Sequence, residues 1–346
     1  MITIGSTKIK TNIFLAPLAG CSDLAFRLLS REYGAKFCFF EMVDAHSLIY
    51  GTKQSLDILK THPKDKPIAA QLLGSDPEIM LRAALKLLEF VKIDFLDINA
   101  GCPVNKVIKK NCGSYLVKEP ENLFKVIKKL SQNLSVPVTV KLRSGFLEKD
   151  TKKLILIAKR CEDSGAAALF IHGRTRSQLY SGEIDYEAIE AVKKNVAIPV
   201  FGSGNIFNCE LAKKMFEETG CDGILVARGA FGNPWIFKNL ENYLKTGKEP
   251  REITLSAKKK ALKRHLYYIN KYRKGYKPRL FTVEPEIHPD FLIGVYNRGE
   301  NSVVGSMRKV ALWYTKSFEG AAKLRGQINN VQSHDELIDL IDEFMN

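Results

Sequence analysis

A cysteine in a small-residue turn is the first side chain of this sequence with an evident capacity for chemistry. It lies in the stretch DINAGCPVNK, where Cys102 follows an apolar run and directly precedes Pro103. A thiol with an ordinary pKa of about 8.5 is mostly protonated at neutral pH, so it is a competent proton donor. A small buried residue before a proline also explains the position structurally. Taken by itself, the turn leaves both interpretations open.

Other polar side chains stand at the ends of apolar runs elsewhere in the chain. They are Gln71 after PIAA, Asn99 after FLDI, Lys141 and Arg143 in VTVKLR, His172 in LFIHGRTR, residues 202–205 in FGSGN, and Arg228 in LVARG. A lysine or a histidine inside an apolar strand costs burial energy unless it is paired or contacts a ligand. The set as a whole therefore predicts a functional site.

Two of these runs end in glycine-rich turns, GSGN and ARG, and each turn precedes a helical pattern. Backbone amides and helix N-termini bind phosphate at such positions in barrels, and Arg228 would add a bidentate donor. Tight turns also use glycine for backbone reasons alone. Combined with a glutamine, a lysine and a histidine, the turns favour a phosphorylated planar cofactor across the mouth of a barrel.

The elements that must position these residues are short apolar runs that alternate with longer segments of helical periodicity. The runs cover residues 12–18, 37–43, 67–73, 94–100, 137–143, 167–173, 198–204 and 223–229. Strands that are apolar on both faces are typical of a parallel sheet covered by helices. Eight such units predict an α/β fold of the TIM (β/α)8 barrel type, with reacting groups at the carboxyl ends of the strands. We expect additional loop structure in residues 44–66 and 103–119.

The strand runs stop near Gly247, and the remaining chain has helical periodicity. We therefore predict a catalytic barrel over residues 1–246 and a small all-helical C-terminal domain over residues 247–346. Cations crowd one stretch of this tail between tyrosines: Lys258, Lys259, Lys260, Lys263, Arg264, Lys271, Arg273, Lys274, Lys277 and Arg279, with Tyr267, Tyr268, Tyr272 and Tyr276. A solvated amphipathic face explains the pattern equally well, but clustered cations and aromatics also suit RNA.

Composition bounds the partners and the compartment. The 53 basic and 38 acidic residues give a net charge of +15, which favours polyanionic partners unless the whole proteome is rich in lysine. The seven cysteines form no CxxC pair and no Cys/His cluster, so we expect a cytoplasmic protein without disulfides or a metal site. LAGC resembles a lipoprotein signal, but the apolar stretch is short and Pro17 interrupts it, so we expect no membrane association.

Seven stretches together resemble, in order, the motifs of the tRNA-dihydrouridine synthases. They are APLAGCSDLAFR, AAQLLGSDPE, DINAGCPVNK, VKLRSGF, IHGRTRSQLYSG, VFGSGNI and VARGAFGNPWIF. The tail is similar to the RNA-recognition domain of that family, and the bacterial B-type branch is the most similar. The resemblance implies an FMN enzyme that reduces the C5=C6 bond of specific uridines in tRNA, with NADPH or NADH as the reductant of the flavin.

The resemblance also implies a role for each site residue. Cys102 matches the general acid of the family, which gives a proton to uracil C5 while hydride passes from flavin N5 to C6. Asn99 would face the uracil, and Arg143 and Arg174 would lie near the RNA. The flavin contacts would be Pro17, Leu18, Ala19, Gln71, Lys141, His172, Ser203, Gly204, Asn205, Ala227 and Arg228.

The chain departs from the family pattern at two positions and leaves two other functions open. Ala227 stands where many members have glycine, and Asn205 stands where aspartate is common. Cys112, in NCGS, is a competing thiol. The alternative functions are an FMN barrel that acts on a free pyrimidine, as in dihydroorotate oxidation, and an RNA-binding protein without catalysis.

Overall fold

The computed structural model describes residues 1–273, 300–316 and 320–345. It begins with an antiparallel hairpin of β1 (Ile2–Ile4) and β2 (Thr7–Ile9). The sequence does not predict this hairpin, because three-residue strands are too short to carry a clear period. Ile4 and Ile9 of the hairpin are buried in the same cluster as the phenylalanines inside the barrel. The hairpin therefore covers the end of the barrel at which the strands begin.

Eight parallel strands close into a barrel. They are β3 (Ile13–Leu15), β4 (Cys38–Asp44), β5 (Ile68–Leu73), β6 (Leu96–Ala100), β7 (Val138–Gly145), β8 (Ala168–Thr175), β9 (Val200–Ser203) and β10 (Gly223–Val226). Consecutive strands are neighbours, and β10 pairs with β3 to close the ring. Every apolar run of the sequence overlaps one of these strands, so the predicted TIM barrel is confirmed.

Phenylalanine side chains fill the lower half of the barrel interior. Phe14 lies with its ring centroid 4.3 Å from that of Phe37 and 4.6 Å from that of Phe201, and Phe95 and Phe170 join the same buried cluster. Side chains alternate along each strand between the barrel interior and the surrounding helices. Further interior positions therefore follow the phenylalanines toward the carboxyl ends of the strands. The apolar plug leaves the upper interior to polar side chains.

Helices surround the barrel and form the tail. Those of the barrel region are α1 (Leu24–Glu32), α2 (Ala45–Ile49), α3 (Lys53–Ile58), α4 (Pro77–Phe90), α5 (Asn105–Ile108), α6 (Tyr115–Lys118), α7 (Glu121–Asn133), α8 (Thr151–Asp163), α9 (Tyr186–Asn195), α10 (Cys209–Thr219) and α11 (Ile236–Thr246), with a 3-10 turn at Arg228–Ala230. Those of the tail are α12 (Leu255–Arg273), α13 (Glu300–Tyr314), α14 (Ala321–Ile328) and α15 (His334–Phe344).

Aspartates cap several barrel helices, as their position in the sequence indicates. Asp23, Asp76, Asp150 and Asp185 each accept a hydrogen bond from the backbone amide three residues later. The short helices α2, α3, α5 and α6 occupy the two long connections, which confirms the additional loop structure predicted there.

The tail helices share a hydrophobic core with the first barrel helix. Leu24 and Leu28 of α1 belong to one buried cluster with Leu262 of α12 and Met307 of α13. The stacked rings of Phe231 and Trp313 lie 4.3 Å apart and extend this contact. Helix α11 ends at Thr246, next to the predicted domain boundary, and the boundary itself stays a prediction. Among the described residues, no helix is long and apolar enough to cross a membrane.

Candidate active site

The barrel brings most predicted site residues to the carboxyl ends of neighbouring strands. In the register of the sheet, Asn99 is opposite Lys141, and His172 is opposite Arg143 on one side and Ser203 on the other. Gln71 is opposite Asp97. These positions form a polar layer directly above the phenylalanine plug.

Asp97 lies at the centre of this layer, and the sequence interpretation overlooked it. Its carboxylate is fully buried and accepts hydrogen bonds of 2.7 Å from both Gln71 Nε2 and Thr139 Oγ1. Burial raises the pKa of Asp97 to about 7, although these hydrogen bonds and Lys141 act in the opposite direction. The available signal was an acidic residue inside the apolar run FLDI.

The Cys102 turn is held from below by Asn99. The Oδ1 atom of Asn99 accepts hydrogen bonds from the backbone amides of Gly101 at 3.1 Å and Cys102 at 2.9 Å. On the other side, the amide and the hydroxyl of Ser114 donate to the carbonyl of Cys102 at 3.0 and 2.9 Å. A β-carbon at Gly113 would come within 2.8 Å of this carbonyl, so the close approach requires glycine. The turn is therefore fixed on both sides.

The thiol of Cys102 is partly buried and stays protonated at neutral pH. Burial raises its pKa above the ordinary value, while the Val104 amide, Arg143 and Lys141 oppose the shift. A raised pKa suits a proton donor more than a nucleophile. Cys112 is buried, whereas Cys102 is only partly buried. The Cys112 side chain also hydrogen-bonds to Ser75 and to a carbonyl of its own turn.

Lys141 and His172 lie at the mouth of the barrel in different protonation states. Burial lowers the pKa of Lys141 to about 8, and Arg143 adds to the shift, while Asp97 and Cys102 act against it. Burial also lowers the pKa of His172 well below its ordinary value, and the neighbouring cations, Arg174 among them, reinforce the effect. The imidazole is therefore neutral at pH 7, whereas the lysine is mostly charged. The cations around His172 favour an anionic ligand at the mouth.

Arg143 and Arg174 are structural braces in this arrangement. Arg143 is 2% exposed and donates hydrogen bonds of 2.8 Å to the carbonyls of Gly101, Thr175 and Leu179. Arg174, also 2% exposed, donates to the carbonyl of Gly182 at 2.6 Å. Both guanidinium groups are directed at loops of the protein. Their expected proximity to RNA stays a prediction. Any effect of these two arginines on RNA binding would be indirect, through the loops that they hold.

Replacing Arg143 by methionine is expected to lower the free energy of unfolding by about 3 kcal/mol, because three carbonyls lose a charged donor. Urea unfolding followed by circular dichroism measures the change. The matched control is Arg160→Met, since Arg160 is exposed and pairs with Glu121 at the surface. Equal stability losses in the two variants would contradict the bracing role.

The two glycine-rich turns have the geometry of an anion site. Gly204 and Asn205 have φ angles of 131° and 53°. A β-carbon at Gly204 would meet Ile184 at 2.3 Å. No acceptor within the described part of the chain takes the backbone amides of Asn205, Ala227 and Arg228. These amides are therefore available to a phosphate.

The guanidinium of Arg228 lies beside the anion turns, between two aromatic rings. It is 5.1 Å from the ring centroid of Tyr180 and 5.5 Å from that of Phe207. These rings fix the direction of the side chain without neutralising its charge. Tyr180 and Phe207 are further residues that the motif-based interpretation missed.

The loop after β3 forms the rim of the mouth next to the turn after β10, because these two strands are neighbours in the barrel. Pro17 and Leu18 are partly buried and Ala19 is exposed. The amide of Leu18 donates to the hydroxyl of Ser22 at 2.9 Å, and the amide of Gly20 donates to the carboxylate of Glu41. The predicted residues therefore lie on a loop that is tied down at both ends.

Comparison with known proteins now defines the class. A model of the dihydrouridine synthase family matches residues 14–284, and the chain belongs to this family. It is 34% identical over 335 residues to tRNA-dihydrouridine synthase B of Pseudomonas aeruginosa, with 97% of this chain and 93% of that protein covered. It is 32% identical over 341 residues to tRNA-dihydrouridine synthase B of Vibrio cholerae, with 99% and 98% covered. Within the family, these relatives indicate the B-type branch, and the chain is an enzyme of that kind.

Solved structures with low sequence identity share the fold. The old yellow enzyme from Trypanosoma cruzi has a TM-score of 0.51 and 12% identity, with 74% of this chain and 94% of that chain covered. The 6-hydroxypseudooxynicotine amine oxidase from Pseudomonas geniculata has a TM-score of 0.56 and 12% identity, with 83% and 56% covered. These likenesses concern the barrel.

Proposed function

We propose that this enzyme reduces the C5=C6 bond of specific uridines in tRNA to 5,6-dihydrouridine, with FMN as its flavin and NADPH or NADH as the reductant. The observation that carries the proposal is the protonated thiol of Cys102, held at the barrel mouth beside a buried lysine and a neutral histidine. Membership of the dihydrouridine synthase family supports the reaction, and the names of the relatives support tRNA as the substrate. We propose the cytoplasm as the compartment, because the cysteine pattern predicts it.

The residues at the mouth fit FMN. The unused amides of the two glycine-rich turns, together with the Arg228 guanidinium, suit its phosphate. The methyl group of Ala227 leaves its amide free to donate, and Asn205 keeps its side chain on Arg174 at 3.1 Å. The remaining proposed contacts line the polar layer and the rim: Pro17, Leu18, Ala19, Gln71, Lys141, His172 and Ser203.

Cys102 supplies the proton in this proposal. When bound, FMN supplies the hydride that uracil C6 accepts, which leaves negative charge on C5 and O4. The Cys102 thiol gives its proton to C5, and the C5=C6 double bond becomes a single bond with one hydrogen added at each carbon. Asn99 would face the uracil, and its hydrogen bonds to the turn set the height of the sulfur.

Lys141 and His172 would act on charge without taking part in proton delivery. The ammonium of Lys141 would stabilise negative charge on a reduced flavin near N1 and O2. The neutral imidazole of His172 would donate one N–H group to the flavin ring without adding a competing cation. Cys112 is the minor candidate for the acid, and its buried position and hydrogen bonds count against it.

An exposed stripe on α12 is the proposed RNA contact of the C-terminal domain, which we assign to residues 247–346. Lys260, Arg264, Tyr267 and Lys271 are exposed and follow each other at helical spacing. The Tyr267 ring has the Arg264 guanidinium 5.4 Å and the Lys271 ammonium 5.6 Å from its centroid. Cations around an open aromatic face suit phosphates and an unstacked base.

The other cations of this tail have different partners. Lys259 and Lys263, which lie outside the stripe, form ion pairs of 3.1 and 2.8 Å with Asp342. Within the stripe, Arg264 itself pairs with Glu32 at 2.8 Å, so Lys260 and Lys271 are the stripe residues chosen for the binding test. Lys274, Tyr276, Lys277 and Arg279 lie outside the described residues. The net charge of the tail therefore overstates the number of cations that are free for RNA.

Replacing both Lys260 and Lys271 by alanine is expected to weaken tRNA binding about tenfold and to reduce the slope of log affinity against log salt by about 1.5. The reason is the loss of two phosphate contacts with their counterion release. Filter binding at several salt concentrations measures both quantities. The control is the double variant Lys259→Ala and Lys263→Ala, because Asp342 already pairs with these lysines. Equal effects of the two double variants would contradict the stripe.

Anaerobic half-reactions test the proposed function against the two alternatives. The purified protein is expected to carry FMN, to lose its yellow colour with NADPH or NADH, and to regain it with unmodified tRNA. Recovery of the colour with a free pyrimidine and not with tRNA would favour the small-substrate enzyme. Absence of flavin from protein that binds tRNA would favour the RNA-binding protein without catalysis.

A further inference from the structure

A chain of hydrogen bonds connects a buried carboxylate to the Cys102 turn. Asp97 accepts from Gln71 Nε2 at 2.7 Å, and Gln71 Oε1 accepts from Asn99 Nδ2 at 2.7 Å. Asn99 Oδ1 then accepts from the backbone amide of Cys102 at 2.9 Å. Gln71 is 1% exposed and Asn99 is 7% exposed, so water competes little for these links.

The direction of this chain is set at its carboxylate end. A side-chain amide turned by 180° keeps its shape but exchanges its donor and its acceptor. Because the Asp97 oxygen accepts, Gln71 must present its NH2 group downward and its oxygen toward Asn99. Asn99 must then present its NH2 group to Gln71 and its oxygen to the turn.

The reversed direction would place NH2 groups against the backbone amides of Gly101 and Cys102. Two donors would then face each other with no acceptor between them, and a buried donor without a partner is destabilising. The turn would have to move to relieve this conflict. The orientation of the two side-chain amides therefore decides whether the observed turn is compatible with the layer below it.

Thr139 makes the direction independent of the charge on Asp97. Its hydroxyl donates to Asp97 Oδ1 at 2.7 Å and is free to rotate and accept instead. A proton on Oδ1 is then shared with Thr139, while Oδ2 continues to accept from Gln71. For the same reason, an asparagine at position 97 keeps its oxygen toward Gln71 and gives its NH2 group to Thr139.

We infer that Asp97 is a positioning residue for the proposed proton donor. It orients Gln71 and Asn99, and through them it fixes the turn that carries Cys102. This inference rests on the proposed role of Cys102 in the reaction, and it assigns no contact between Asp97 and the substrate.

The test measures the alkylation rate of Cys102 in the purified full chain with iodoacetamide, by peptide mass spectrometry. Asp97→Leu removes the acceptor, so Cys102 is expected to react about threefold faster or more as its turn loosens. Cys21, which is also partly buried, is the internal reference and keeps its rate. Reduction of uridine in tRNA is expected to fall about tenfold or more, since small displacements of a reacting group are costly.

Three further variants separate positioning from a general loss of stability. Gln71→Met interrupts the same chain at its next link, and it takes the place of Asp97→Leu if that variant does not fold. In Asp97→Asn, Cys102 is expected to react at the wild-type rate. Ile98→Ala, on the outward face of the same strand, is expected to lower the unfolding temperature without changing the Cys102 rate.

The inference is overturned by any of three results. The first is an unchanged Cys102 rate in Asp97→Leu and in Gln71→Met. The second is an equal acceleration of Cys102 and Cys21, which indicates general loosening. The third is an asparagine variant that behaves like the leucine variant. Full activity of Cys102→Ala would overturn the proposed function instead, and it would leave the alkylation result standing.

Discussion

Replacing Cys102 by alanine is expected to lower the rate of uridine reduction in tRNA by about 10²- to 10⁴-fold, the range typical of a general acid. The thiol is the proposed source of the C5 proton, and burial keeps it protonated at neutral pH by raising its pKa. FMN and tRNA are expected to remain bound, because the proposed phosphate site and the α12 stripe lie elsewhere. Single-turnover assays with flavin-loaded protein measure the rate.

Cys112→Ala is the matched control for this variant. Its thiol lies in the neighbouring turn, is buried and is hydrogen-bonded to Ser75. Its removal is expected to change the rate by less than about threefold, since it donates no proton to the substrate. Normal turnover in Cys102→Ala combined with a large loss in Cys112→Ala would identify Cys112 as the proton donor and contradict the proposed mechanism.

Replacing Lys141 by methionine is expected to weaken FMN binding about 100-fold, because the mouth loses a buried ammonium that would donate to the electron-rich N1 and O2 edge of the flavin. The wild-type affinity is expected to depend on pH. The pKa of Lys141 is lowered to about 8, so the ammonium is present below pH 8 and is lost as the pH rises through that value. FMN affinity should therefore fall between pH 7 and pH 9 in the wild type and vary less in Lys141→Met.

Titration of flavin-free protein with FMN, followed by quenching of flavin fluorescence, measures these affinities. Lys213→Met is the control, since Lys213 is a surface residue that pairs with Glu217. An affinity that is unchanged in Lys141→Met, or a wild-type affinity that rises with pH, would exclude the proposed charge interaction.

The barrel was predictable because its strands are buried on both faces. The run 37–43, FCFFEMV, is apolar at six of its seven positions, and the structure has β4 at Cys38–Asp44. The hairpin of β1 and β2 was not predictable, since each strand has three residues and its burial depends on the barrel interior. The periodicity of apolar residues indicates long helices and strands, but it gives no signal for short strands that are stabilised by tertiary contacts.

The site was predictable as a set of residue types, but its connections were not. Lys141 and His172 were conspicuous because charged or polar groups are costly inside apolar strands. The role of Asp97 depends on Gln71 and Thr139, which come from the strands on either side, and a sequence does not state their register. The same limit applies to Arg143, which the family resemblance places near the RNA, while its hydrogen bonds are to loop carbonyls.

The basic tail shows how distant partners change an interpretation based on charge. Lys263 pairs with Asp342, and Arg264 pairs with Glu32 of the barrel. Neither partner is near in sequence, so the cluster appears free when residues 258–279 are read in isolation. The helical character was evident from periodicity, whereas the number of available cations required the fold.

The most direct test of the central claim is a nucleoside map of tRNA from cells with and without the gene for this chain. Loss of the gene is expected to convert dihydrouridine to uridine at defined positions, seen as a mass lower by two hydrogens. The wild-type gene should restore the modification, and the Cys102→Ala gene should not. An unchanged dihydrouridine map in cells that lack the gene would contradict the account.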